Sequence, residues 1–72
     1  MTRFEALAAA ATDAQNDLRH VHAKWRNRTV SRPVFLAAMD NARNALDKFI
    51  RYCEANGLEA HHTVEAILRG ER

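Results

Sequence analysis

The apolar residues of this 72-residue chain are arranged as a mirror about the stretch 28–33. Trp25 pairs with Phe35, Val21 with Met39 and Leu18 with Ala42, each pair of positions summing to 60. Further out, the same rule couples Ala14 with Leu46, Ala11 with Phe49 and Leu7 with Cys53. Two helices folded back on one another at about residue 30 bring every such pair to one level. Large then faces small at three consecutive levels: Leu18 over Ala42, Leu46 over Ala14, Phe49 over Ala11. Such alternation lets two helices approach closely and interdigitate. The fold class that follows is all-α, an antiparallel hairpin of two long helices with a short C-terminal helix.

The first helix is expected over about 3–26. Thr2 followed three residues later by Glu5 has the form of a capping box. Phe4, Ala11, Leu18 and Trp25 recur every seven residues, and Leu7, Ala14 and Val21 fill the offset between them. An apolar seam therefore runs the length of this helix, with Trp25 in its core. The run 27–31 breaks the pattern. Ser31 is placed to accept a backbone N–H of the next helix, and Pro33 suits a first helical turn.

The second helix, about 32–55, repeats Phe35, Met39, Ala42, Leu46, Phe49 and Cys53 at alternating spacings of four and three. Arg43 with Asp47, and Asp47 with Arg51, stand at favourable separations on its outer face. Gly57 can adopt the left-handed conformation that ends a helix, with Leu58 folding back on Cys53. A third helix is expected over about 59–69, its apolar face His61, Val64, Ile67 and Leu68 docked beside the seam on Leu36 and Ile50. One short helix cannot cover both Leu36 and Ile50 on one flank of the second helix and Tyr52 on the other. A homodimer that completes a four-helix-bundle-like core is therefore expected, with Leu36, Ile50 and Tyr52 as its packing flank.

Size and composition narrow the class further. Seventy-two residues make a single helical domain, and one this small buries only roughly 60% of its unfolded surface. A lone cysteine, Cys53, excludes an internal disulfide and fits a reducing compartment. Arg3, Glu5 and Asp13 interrupt the N-terminal alanine run, so no secretory signal layout is present, and no stretch approaches the ~20 apolar residues of a membrane span. A cytoplasmic protein without membrane contact is expected. Five basic residues and no acid lie between Leu18 and Met39, whereas the rest of the chain carries six bases and nine acids. The hairpin tip is basic and the remainder slightly acidic.

Few residue patterns carry chemistry. Arg19, Lys24, Arg26, Arg28 and Arg32 form the candidate partner-binding set at the tip. Cations at a helix C-terminus also offset the macrodipole, and positions 24, 26 and 28 point different ways on a helix. His20 with His22, and His61 with His62, have spacings unsuited to gripping one ion from a helix. His22 is expected to be half-buried with a polar partner. Cys53 on the seam is a small core hydrophobe, Ser31 is the sole serine, and no glycine-rich phosphate loop exists. No catalytic residue, cofactor or metal site is assigned, and no enzyme is expected.

Two function classes remain. The first is a small non-enzymatic regulator that binds another protein, one with an acidic surface, and inhibits or redirects it. In size and plainness the chain loosely resembles the short helical inhibitors and anti-activators carried by phages and mobile elements, a likeness that rests on no motif and assigns no family. The second is a nucleic-acid-binding regulator using the basic tip. Against it, the second helix opens Pro33-Val34-Phe35-Leu36, too apolar to lie in a groove. The seam itself is testable by thermal melts: Leu18→Ala or Leu46→Ala is expected to destabilise by ~2–5 kcal/mol.

Overall fold

In the computed structural model, which describes residues 2–69, the chain forms three helices: α1 (Arg3–Arg26), α2 (Arg32–Ala55) and α3 (His61–Arg69). Local chemistry sets their ends. Thr2 is the N-cap of α1, its Oγ1 accepting the Glu5 N–H at 3.1 Å and donating to the Glu5 carboxylate at 3.2 Å. At α2 the expected side-chain cap does not form: Ser31 occupies the N-cap with no side-chain hydrogen bond, and its carbonyl alone accepts the Phe35 N–H. A capping side chain bonds the N–H two or three residues on, and Pro33 has none to give. Helix α3 starts at His61 rather than 59, because the Glu59 carboxylate accepts the His61 N–H at 2.6 Å and so precedes the helix.

Helices α1 and α2 pack antiparallel along their length, giving a particle 42 Å long and about 20 Å across. The core gathers at the end away from the tip. Ala11 and Phe49 are fully buried there with Cys53 and Ile67, and Phe4, Leu7, Ala8, Leu46, Ile50 and Val64 pack around them. The Phe4 ring tilts against Phe49 at 5.1 Å between centroids, a favoured edge-on geometry. Ala14, Ala38 and Ala42 are also buried, which is the close approach that small residues permit. Leu18 and Leu46 are only half-buried, so truncation at either falls toward the lower end of the range expected from the sequence.

Helix α3 does not dock on Leu36 of α2. It rests chiefly on α1 and drops Ile67 into the seam beside Ala11 and Phe49. Helical spacing places Ala8, Thr12, Gln15 and Arg19 on one face of α1, where Ala8 packs against the core around Ile67 and Arg19 bonds α3. Thr12 is buried there with its Oγ1 donating to the Ala8 carbonyl at 2.9 Å, so no polar atom is stranded. Arg19 fixes the far end, its Nη2 donating to the Leu68 carbonyl at 2.7 Å. Of the proposed flank, Ile50 packs against the core and Tyr52 is half-buried beneath the Arg3 guanidinium at 5.9 Å. Leu36 stays exposed. Nine helical residues span roughly 14 Å, too little to reach it. Leu58 turns back by its backbone, donating to the Cys53 carbonyl at 2.9 Å, while its side chain remains exposed.

Phe49→Ala is expected to destabilise the protein by about 3–5 kcal/mol, with Leu18→Ala well below it, in urea unfolding. Arg19→Ala should speed amide exchange across α3 and leave the paired α1 and α2 amides unchanged, since it removes a hydrogen bond that only α3 depends on.

Candidate functional site

The tip is built by the way α1 ends. Asn27 is the C-cap, the Arg28 N–H donates to the Trp25 carbonyl at 3.0 Å, and the Thr29 N–H donates to the Lys24 carbonyl at 2.8 Å. The Thr29 hydroxyl donates to that same carbonyl at 3.0 Å. This paired bonding is a Schellman motif, which requires a left-handed residue at its first position past the cap. Helix α2 ends in the same motif, with Gly57 donating to Glu54 and Leu58 to Cys53. There the left-handed position is glycine, at φ 64°. In α1 it is Arg28, at φ 59°. A side chain in that conformation costs roughly 1–2 kcal/mol, which glycine avoids.

Above this turn the two helices are held by aromatic rings. Trp25 and Phe35 stack nearly parallel, 3° apart with centroids at 5.4 Å, and His22 stacks on Phe35 at 5.7 Å. The Trp25 contact joins the two positions that the mirror pairs. Two expectations are corrected here. Trp25 is 36% exposed rather than core, and His22 is exposed with an aromatic rather than a polar neighbour. Met39, expected opposite Val21, is 43% exposed, and Ala38 is the buried residue of that turn. At the last turns before the loop no further residues lie beyond the seam to close it, so seam positions stay open.

An open depression of about 700 Å³ lies here, lined by His22, Trp25, Arg26, Arg28 and Val30. Two arginines and one tryptophan thus line a concave surface with no acidic lining residue. Among the described residues, ion pairs form between Arg51 and Asp47 at 3.1 Å and between His61 and Glu65 at 3.2 Å, both away from the tip. Of the five basic residues singled out in the sequence, Arg26 and Arg28 are brought together on the depression. Lys24 and Arg32 are exposed but do not line it, and Arg19 is engaged with α3. The strained conformation of Arg28 has no sequence signal, because nothing marks an arginine as standing at a glycine position.

Other places offer less. A groove of about 620 Å³ between α1 and α2 mixes Asp13 and Asp17 with Asn41, Asn44 and Lys48, so it carries both signs of charge. His61 and His62 meet edge-on at 5.6 Å, and among the described residues no three His, Cys, Asp or Glu side chains gather in a way that could hold a metal ion. Cys53 is buried. No described helix is long and apolar enough to cross a membrane. Compared with protein-family models, curated proteins and solved structures, the chain matches none.

The two helix ends make a matched experiment. Arg28→Gly is expected to raise stability by about 0.5–1 kcal/mol, the left-handed penalty less the extra chain entropy of glycine. Gly57→Ala, where an added Cβ meets nothing within 4 Å, should lower stability by about 1 kcal/mol through backbone conformation alone. Chemical denaturation of both variants checks this.

Proposed function

We propose that this chain is a small non-enzymatic regulator that binds another protein by seating an acidic segment of it in the tip depression, and so inhibits or redirects that partner. The observation that carries the reading is Arg28. It holds a left-handed position where glycine would be more stable, and it lines the same depression as Arg26 and Trp25. Strain of this kind persists where the side chain serves a purpose other than folding. Paired guanidiniums suit carboxylates, to which they donate in forked geometry, and the indole adds apolar contact at little entropic cost.

A nucleic-acid partner is the second reading, and the exposure of Trp25 favours it. An indole at the surface beside arginines can stack on a base while they neutralise phosphate.

Because Trp25 is the sole tryptophan, its fluorescence reports on the depression directly. Titration with an oligoglutamate peptide at low salt is expected to change that emission, and the apparent affinity should fall as salt rises. Arg26→Ala/Arg28→Ala should keep the helical circular dichroism and lose roughly tenfold or more in affinity. A single-stranded oligonucleotide that binds far more tightly than the peptide would transfer the site to nucleic acid. No response to either probe at low salt would remove the tip as a binding site.

A further inference from the structure

We propose that a second copy of this chain packs on one face of α2, antiparallel to the first about a two-fold axis near Met39 and Asp40. The face is the strip Arg32, Leu36, Met39, Arg43 and Asp47, whose spacings of four and three put all five on one side of the helix. Leu36 and Met39 at its centre are 44% and 43% exposed, because α3 is too short to reach this part of α2.

The charge pattern selects a second copy as the occupant. Laid antiparallel on itself, the strip sets Arg32 against Asp47 of the other copy at both ends. Leu36 and the stem of Arg43 then meet between them, and the two Met39 side chains sit beside the axis. The pattern is self-complementary, which an isologous two-fold interface requires. Asp47 already pairs with Arg51 on its own helix at 3.1 Å while remaining half open to solvent, so it can receive a second guanidinium. This surface is distinct from the tip depression, so a dimer leaves both depressions free.

Molar mass by light scattering over a wide concentration series is expected to rise from one chain to two. Leu36→Glu/Met39→Glu, both at exposed positions, should keep the helical circular dichroism and hold the mass at one chain. Arg32→Asp and Asp47→Arg should each weaken the dimer roughly tenfold or more, and the two combined should restore it by exchanging the charges. A single-chain mass at every concentration overturns the proposal. So does a dimer indifferent to Leu36→Glu/Met39→Glu, which would place the second copy on another face, or a combined variant no tighter than either single one.

Discussion

Phe49 is fully enclosed because the residue opposite it is an alanine, and the rest of the structure follows from that fit. A larger side chain at position 11 would hold the helices apart and open the gap that Ile67 fills. With Ala11 there, Phe49, Cys53 and Ile67 close on one another, and the Phe4 ring seals the open edge. These are the largest fully buried side chains, and one comes from the third helix. Helix α3 is therefore part of the core that stabilises the hairpin. Arg19 ties its far end to α1 through the Leu68 carbonyl.

Packing is thus graded along the hairpin. At one end three helices share a core. At the other, two helices meet through stacked rings, with Trp25 and Phe35 nearly parallel and His22 alongside. Stacking holds the tip together without burying it, so the indole keeps an exposed edge. The same gradient concentrates basic residues where solvent screens them from one another and where no carboxylate of the tip neutralises them. A rigid end and an open, charged end follow from one arrangement of large and small residues.

The hairpin was legible because the mirror about residue 30 repeats over six levels, and three consecutive ones set large against small. Periodicity names the face of a helix, however, and not what covers it. Trp25 and Met39 lie on the correct face yet near the end of the seam, where no further layer exists. The docking side of α3 was hidden because Ala8 and Thr12 do not resemble an apolar surface. Small size makes them one, and Thr12 satisfies its hydroxyl within its own helix. Ser31 read as a side-chain cap because the rule considers the capping residue, whereas Pro33 removes one of the donors it would bond. Arg26 and Arg28 were visible as charges, but their meeting on one depression depends on the left-handed turn between them and Thr29.

That turn also separates folding from use. The two Schellman motifs make the same pair of hydrogen bonds at the ends of helices of equal length, and they differ in the left-handed residue. If stability alone chose that residue, glycine would occupy both positions. The one at the closed, well-packed end follows stability. The one at the open end is an arginine that lines the depression instead. A penalty of roughly 1–2 kcal/mol is large for a domain whose whole stability is of order 5–15 kcal/mol. A partner seated in the depression, as proposed, would offset it, because binding to the folded state alone shifts the folding equilibrium by mass action.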